Sequence, residues 1–540
     1  MLKKCLTLLL FLCVASALHA ANYLTFTAEE DGSEFGIETT SDWVDPDIDT
    51  HWDNPNIKIQ YSLNGGKTWK ALPTNTLISL NRKGDKALLK GKKTQAYTQD
   101  EDNYTYFVMT GRIAASGSIM SLIGGNDKNL TIKGEKCFYR LFIDCASLTQ
   151  APELPATQLN NSCYEEMFRG CSRLKQAPKL PAKTLAKNCY KGMFGRCTSL
   201  TQAPELPATQ LAYNCYVEMF SECTSLTQAP QLPAQTLTDR CYAGMFWGCT
   251  SLTKAPELSA KTLADGCYQS MFGGCTSLTK APELPATTLT DKCYEGMFFE
   301  CTSLTQAPEL TATRLASSCY GVMFMECTNL TKAPELPAQT LTDKCYMGMF
   351  LGCTSLKQAP ELPAKTLADE CYGLMFAGCS SLTKAPQLPA TQLTKDCYKM
   401  MFKECTSLTK APELPAQTLT NGCYEEMFKG CSKLAEIKVG FKDWGEIFRF
   451  EEEGENNMAA AIVEDEADVP VAIEENEADV PVAIEEDEAD VPVTVEEDEH
   501  WSTSNWLENV APKGKFICPK KLPKAFGENR IPEGWKIIKN

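Results

Sequence analysis

Apolar residues recur through most of the chain in a pattern of 26 residues. In one copy, residues 197–207, apolar side chains recur at short intervals and a proline ends the run. This predicts a short β-strand that pairs with the same residues one copy away. Leu211, Cys215, Met219 and Cys223 follow at steps of four, which predicts one face of an α-helix. The helix must be short, because glycine interrupts many copies and costs about 1 kcal/mol relative to alanine in a helix. These glycines are Gly192, Gly244, Gly296 and Gly348.

Two columns of cysteines define the extent of the repeat. The first column is Cys137, Cys163, Cys189, Cys215, Cys241, Cys267, Cys293, Cys319, Cys345, Cys371, Cys397 and Cys423. The second column follows each of these by eight residues and runs from Cys145 to Cys431. Of the 27 cysteines, only Cys5, Cys13 and Cys518 lie outside the two columns. A period kept this strictly predicts a solenoid.

The predicted fold is an α/β solenoid of twelve coils, each built as strand, turn, short helix and turn, over residues 131–444. Residues 21–130 form a different domain, because alternating stretches at 57–61 and 104–109 predict strands. We expect a small β-sandwich there, next to the first coil. Residues 501–540 are predicted to form a small C-terminal cap, since a solenoid needs its ends covered.

The first 20 residues have the features of a secretory signal peptide. Lys3 and Lys4 precede an apolar stretch, and small residues precede Ala21. An alternative is lipid anchoring at Cys13, although a leucine stands where a small residue is expected. No later stretch reaches about 18 apolar residues, so no membrane insertion of the mature chain is expected. The predicted location is therefore secreted or at a bacterial cell surface.

The net charge of −17 comes from one segment. Residues 451–500 hold 21 acidic residues and neither lysine nor arginine, so the remainder is close to neutral. Within the predicted insertion, 445–500, Glu-Ala-Asp-Val-Pro-Val recurs every 11 residues, which predicts a disordered acidic loop. Two roles are open for this loop: it is a solvated spacer, or it binds cations or a basic partner. Nucleic acid is not an expected partner, because the chain lacks a basic stripe.

The run Met-Phe-x-Gly-Cys-Thr-Ser-Leu-Thr at residues 245–253 resembles the BspA-like leucine-rich repeats of bacterial surface proteins. The resemblance covers residues 137 to about 440. The present repeat is longer than the family's usual unit, and it has methionine where the family has alanine. Segments around 505–507 and 531–535 resemble the closing segment of the same family, and the N-terminal domain resembles that of secreted proteins from gut bacteria. The resemblance implies a solenoid fold and a place at the cell surface, whereas members bind different ligands.

Three roles are open for the cysteines. They pack as small apolar residues, they form disulfides, or they bind a metal. Packing is favoured, because the predicted helix puts Cys215 and Cys223 on one inward face about 12 Å apart, beyond the reach of a disulfide. The residues assigned to the structural core on this basis are Cys163, Cys171, Cys189, Cys197, Cys215 and Cys223.

Nothing in the sequence indicates an enzyme or a cofactor. After the signal peptide the chain has only His51 and His500, which lie far apart, so a catalytic Ser-His or Cys-His pair is not expected. Residues 62–69 resemble an Asp-box hairpin of sialidase propellers. A single copy of that motif favours a stabilised β-turn over a sugar-binding site.

Two polar columns on the predicted strand face are the candidate partner-binding residues. One column is Gln or Lys before each Ala-Pro, and the other is mostly Glu. The candidates are Lys254, Lys280, Lys332, Lys384, Lys410, Glu257, Glu283, Glu335 and Glu413. Solenoids bind extended partners on such surfaces. The alternative is that these residues only keep the face soluble.

The predicted function is adhesion or binding, with a host or neighbouring-cell surface protein or glycan as the partner. The alternative is a structural repeat spacer at the cell surface that has no specific ligand. Exposed clusters that include aromatic side chains would favour binding, whereas uniform polar columns would favour the spacer. The sequence leaves open the ligand, the mode of anchoring, the oligomeric state and the redox state of Cys518.

Overall fold

The structure is a computed structural model that describes residues 22–41, 58–91, 97–98, 103–124, 130–444, 502–527 and 529–540. The predicted signal peptide, the acidic segment, His51 and His500 lie outside these residues. Within the described ranges, no helix is both long enough and apolar enough to cross a membrane.

Thirteen strands and one 3₁₀ helix are assigned in the described residues. The N-terminal strands are β1 (Leu24–Ala28), β2 (Ser33–Ser41), β3 (Ile59–Ser62), β4 (Lys70–Ala71), β5 (Ile78–Leu80), β6 (Lys86–Gly91), β7 (Asn103–Thr110) and β8 (Ile113–Ser116). The 3₁₀ helix, Ile119–Ile123, and β9 (Leu148–Gln150) follow. The remaining strands are β10 (Glu413–Leu414), β11 (Glu436–Val439), β12 (Lys515–Cys518) and β13 (Lys536–Lys539).

Two sheets form the N-terminal region. One has the order β4-β3-β6-β1-β8-β9, and the other has the order β5-β2-β7. Phe26 of β1 joins them, because its ring lies 5.3 Å from that of Phe35 in β2 and 5.1 Å from that of Phe107 in β7. Strands β8 and β9 pair in parallel, so the larger sheet continues directly into the first repeat.

The repeats stack through parallel backbone pairing, as the strand prediction requires. Gln176 pairs with Gln202, and Gln228 pairs with Lys254, each one copy apart. Thr184 also pairs with Gln210, which places a second pairing site farther along each coil. Most of these sites are single bridges rather than strands. The solenoid is therefore confirmed, and its ladder is narrow.

The predicted helix of each coil is wrong, and a ribbon of successive β-turns replaces it. The N–H groups of Tyr190, Gly192 and Phe194 donate to carbonyls of the next coil, at N···O distances of 3.1, 2.8 and 2.9 Å. Between them, the N–H of Lys191 donates to the carbonyl of Asn188, three residues earlier, at 3.1 Å. A helix would direct all these donors four residues back within the coil. In the ribbon, alternate N–H groups donate within a turn of the same coil and to carbonyls of the next coil.

Every fourth residue of the ribbon has left-handed backbone geometry. Asn188, Gly192 and Arg196 have φ values of 55°, 59° and 59°, and the equivalent positions of the other coils follow. A four-residue turn puts successive copies on one face, as a helix does, which explains why the spacing misled the helix prediction. Glycine has no Cβ to clash in this geometry, so the interrupting glycines suit the ribbon.

Aromatic side chains stack in two columns through the core. The rings of Phe220 and Phe246 are parallel to within 6° with centroids 5.7 Å apart. Those of Tyr242 and Tyr268 are 5.8 Å apart at 7°. Equivalent pairs run from the second coil to Tyr424 and Phe428. Each coil therefore buries its aromatic rings against the next coil, which couples neighbouring coils through apolar contact.

The segment after the acidic insertion completes an interrupted coil. The N–H groups of Tyr424 and Phe428 donate to the carbonyls of Ser502 and Trp506, at 2.9 Å each. Asn505 has the left-handed φ of 46° that the ribbon requires. The four parallel strands β10 to β13 then continue the ladder to the C-terminus. Residues 502–527 and 529–540 are thus built on the same plan as the repeats.

Candidate functional site

The second cysteine column lies in the core and bridges neighbouring coils. The Sγ of Cys197 donates to the carbonyl of Phe168 in the preceding coil at 3.1 Å, and Cys301 donates to Phe272 at the same distance. The Phe272 carbonyl also accepts the N–H of Cys275 at 3.0 Å. A small thiol therefore fills the space beside the phenylalanine column and uses the carbonyl's second lone pair.

The first cysteine column is also buried, and it faces the following coil. Cys215 Sγ lies 4.0 Å from the carbonyl of Cys241. Because the helix is absent, the distance argument against disulfides no longer applies. The cysteines of both columns are free thiols in the structure. Burial raises the pKa of Cys163 and of Cys293 to about 12. Such thiols stay protonated at neutral pH and are poor nucleophiles and metal ligands.

The structure places the six cysteines assigned to the core, from Cys163 to Cys223, among the fully buried residues. In the described part of the chain, no three His, Cys, Asp or Glu side chains are arranged to hold a metal ion.

The Asp-box-like hairpin is held by its own side chains. Ser62 Oγ accepts the N–H of Gly66 at 2.9 Å and donates to Asn64 Oδ1 at 2.9 Å. Asn64 Oδ1 also accepts the N–H of Thr68 at 3.0 Å. Trp69 packs edge-on against Tyr23. The polar groups of the motif are thus engaged within the turn, as a stabilising role requires.

All nine predicted partner-binding residues are exposed. Lys254, Lys332 and Lys384 each occupy a parallel bridge, so their column follows the ladder. Lys410 pairs with Glu436 of the next coil at 2.7 Å, and Glu413 pairs with Lys438 at 2.7 Å. Exposed ion pairs of this kind contribute little to stability. The strand face is consequently a regular, uniform polar surface.

A second surface, which the sequence analysis did not single out, lies on the turn ribbon. It is formed by the residue that follows each repeated Met-Phe pair, here called the post-phenylalanine column. Its members are Arg169, Gly195, Ser221, Trp247, Gly273, Phe299, Met325, Leu351, Ala377, Lys403 and Lys429. Six successive coils, from Trp247 to Ala377, contribute no charged residue to this column. Its large members there are partly exposed.

The large apolar side chains of this surface follow one another along the solenoid as a stripe. The rings of Trp247 and Phe299 are two coils apart in sequence yet stack 5.6 Å apart at 11°. They close over Gly273, where an added Cβ would lie 2.3 Å from a carbon of the Trp247 ring. Farther along, a Cβ on Gly348 would lie 3.0 Å from Val322 Cγ1. Glycines in the neighbouring ribbon positions therefore make room for the large side chains.

Charged residues replace the stripe at both ends of the solenoid. Toward the N-terminus, Glu166 pairs with Arg140 at 2.7 Å and with Arg169 at 3.3 Å. Toward the C-terminus, Glu426 pairs with Lys403 and with Lys429, both at 2.8 Å. The same columns thus carry ion pairs in the end coils and apolar side chains in the middle.

The stripe can be recognised in the sequence by comparing the copies of the repeat position by position and noting which positions vary. Positions before each Ala-Pro alternate only between Gln and Lys, whereas the post-phenylalanine column holds tryptophan, phenylalanine, methionine, leucine, glycine and lysine. The strand face is therefore uniform, and the ribbon face is the part of the repeat that varies in size and chemistry.

Comparison with known proteins identifies the repeat family. The family model described as "BspA type Leucine rich repeat region (6 copies)" matches residues 134–279, 267–409 and 350–442, which together span more than half of the chain. The protein belongs to this family, and its repeats are leucine-rich repeats that present a surface suited to protein or ligand binding. The expected resemblance is confirmed.

A solved structure titled "Crystal structure of TLR13-ssRNA13 complex" is similar over 57% of this chain and 42% of that chain, at 15% identity and a TM-score of 0.21. Less than half of that chain's length is therefore matched, and so low a TM-score supports no argument about fold or ligand. The comparison with curated proteins gave no match.

Proposed function

We propose that the protein is an exported, non-enzymatic binding protein of the bacterial surface, whose solenoid adheres to a protein or glycan of a host or neighbouring cell. The N-terminal signal-like segment and membership of the BspA-type family support export and surface location. The proposed organisation is twelve coils between an N-terminal β-sandwich and a C-terminal cap.

The observation that carries this proposal is the unlike chemistry of the ribbon face. Trp247, Phe299, Met325 and Leu351 are partly exposed on neighbouring coils. Gly195 and Ser221 occupy the same column in other coils, so stacking of the coils does not require a large apolar side chain at this position. Apolar clusters with aromatic anchors are typical of binding surfaces.

A structural spacer remains the second candidate, and the strand face favours it. Its lysine and glutamate columns are uniform, and two of the nine candidate side chains are already paired with the next coil. The two faces thus make opposite predictions for variants.

The test is binding of the purified chain, without the predicted signal peptide, to a panel of host matrix proteins and glycans. Three proteins are compared: the parent, Trp247→Ser with Phe299→Ser, and Lys254→Gln with Lys280→Gln. Serine is tolerated in the post-phenylalanine column because Ser221 occupies it. The proposal expects saturable binding that the first double variant loses. A folded parent that binds nothing on the panel supports the spacer.

A further inference from the structure

The length and spacing of the apolar stripe limit what fits on it. From Trp247 to Leu351 the stripe crosses four coil steps. The adjoining phenylalanine column measures these steps as 5.7, 5.8, 5.6 and 5.7 Å, or about 23 Å in total. A stable dimer interface requires roughly 800 Å² from each partner, and a strip about 23 Å long would have to be about 35 Å wide to supply that area. The stripe therefore suits a slender partner.

The step between coils matches a helix better than an extended peptide. An α-helix rises about 5.4 Å per turn, so four turns stay within about 1.2 Å of four coil steps. Same-side residues of an extended chain are roughly 6.6–6.8 Å apart and lose register within a few coils. A helix lying along the stripe would place one apolar side chain near each coil.

The edge of the stripe carries two glutamates that form no ion pair with any described residue. Glu300 and Glu326 directly follow Phe299 and Met325. In the described residues, no basic side chain lies within ion-pair distance of either carboxylate. The Glu326 side chain lies over Gly352, where an added Cβ would meet its carboxylate. By contrast, Glu166 and Glu426 at the ends of the solenoid each pair with two basic side chains.

Methionine and leucine broaden the stripe on its other side. Val322, Met347 and Leu374 are partly exposed on neighbouring positions of the same ribbon. Methionine side chains adapt to differently shaped partners, and grooves that bind amphipathic helices use them.

We propose that the stripe from Trp247 to Leu351 is the docking surface for an amphipathic α-helix of a partner protein, with an apolar face and basic residues beside it. This proposal deepens the proposed function and rests on it. The helix's apolar face covers the stripe, and its basic edge faces Glu300 and Glu326. About 15 residues of helix span the 23 Å.

The test measures fluorescence anisotropy of three labelled 18-residue peptides with the full-length mature chain. The first has leucine and lysine at helical spacing, the second has the same composition in strict alternation, and the third has leucine and glutamate at helical spacing. The protein variants are Trp247→Ser with Phe299→Ser, Glu300→Gln with Glu326→Gln, and Lys254→Gln with Lys280→Gln as the matched control on the strand face. Circular dichroism checks that each variant is folded.

The expected result is saturable binding of the first peptide only. Trp247→Ser with Phe299→Ser should weaken it by about thirtyfold, as loss of two anchor residues does. Glu300→Gln with Glu326→Gln should reduce its salt dependence, and the control should leave it unchanged. Equal binding of the alternating peptide, or binding that ignores the serine substitutions, overturns the proposal.

Two other occupants are distinguished by parallel measurements. If vesicles of phosphatidylcholine and phosphatidylglycerol bind, and the serine substitutions abolish that binding while no peptide binds, the stripe contacts membranes and the helix proposal is wrong. A concentration-dependent dimer abolished by the same substitutions, again without peptide binding, assigns the stripe to a second copy and also overturns it. If a protein or glycan of the panel binds and its binding requires Trp247, but no helical peptide binds, the helix proposal is wrong and the proposed function still holds.

Discussion

Alkaline pH should unfold the solenoid abruptly, because its buried thiols have to remain neutral. The thiols of both cysteine columns are buried, and this burial raises the pKa of Cys423 to about 11 and of Cys345 to about 12. An unfolded thiol has a pKa near 8.5. A thiol whose pKa is raised in the folded state contributes stability that is fully present below the unfolded pKa. That contribution is lost as pH rises from about 8.5 toward the folded pKa.

The size of the effect follows from the repeat. Each buried thiol loses about 1.4 kcal/mol of stabilisation per pH unit above the unfolded pKa, and each coil contains two. A coil therefore loses about 2.8 kcal/mol per pH unit, and twelve coils together lose about 34 kcal/mol per pH unit. Domain stabilities are usually about 5–15 kcal/mol. Unfolding is consequently expected between about pH 8.5 and 10.

The assay follows ellipticity at 222 nm and thiolate absorbance at 240 nm during a pH titration in the presence of a non-thiol reductant. Both signals should change together, in one steep transition. A thiolate signal that rises gradually while the ellipticity is constant would show that the thiols reach solvent, and it would refute the buried columns. A chain that remains folded and protonated at pH 10.5 would refute the magnitude.

Three further changes test the local structure. Gly378 has a φ of 71°, and a Cβ added to it would lie 3.5 Å from Gly352, an ordinary contact distance. Gly378→Ala should therefore lower the free energy of unfolding in urea by about 1 kcal/mol through backbone strain alone, whereas Gly373→Ala in the same coil should not lower it. If the segment were a helix, both substitutions would stabilise the protein. Cys301→Ala should cost about 1–2 kcal/mol, because it leaves a void between coils, and an unchanged urea midpoint would contradict this. Ser62→Ala should accelerate amide exchange at Gly66 by removing its hydrogen-bond acceptor, with a cost of about 1 kcal/mol, and unchanged exchange would exclude a role in the turn.

The repeat and its strand ladder could be predicted from the sequence, because a constant period forces equivalent residues into register. The ribbon could not. A step of four residues, as between Cys215 and Met219, places side chains on one face both in a helix and in successive four-residue turns. The two structures differ in backbone geometry, since every fourth residue of the ribbon is left-handed. The sequence does not reveal this geometry, because non-glycine residues such as Arg196, at a φ of 59°, also occupy the left-handed positions. The repeated glycines disfavour a helix and suit the left-handed positions of the ribbon.

The candidate site shows a similar limit. The lysine and glutamate columns are recognisable in the sequence because they repeat, and the structure shows them exposed on the ladder. The stripe was missed because its members differ from copy to copy. Only the coil geometry shows that Trp247 and Phe299, 52 positions apart in the numbering, stack against each other. Proximity across two coils depends on the small residue between them, which periodicity alone does not reveal.

Site-specific photocrosslinking tests most directly whether the partner binds the ribbon face. A benzophenone amino acid replaces Phe299 on the ribbon or Glu283 on the strand face of the same coil, and each protein is irradiated with a ligand that binds the parent. If the partner binds the ribbon face, irradiation should give a crosslinked product from position 299 and little from position 283. A product from position 283 alone would place the partner on the strand face and contradict binding by the ribbon.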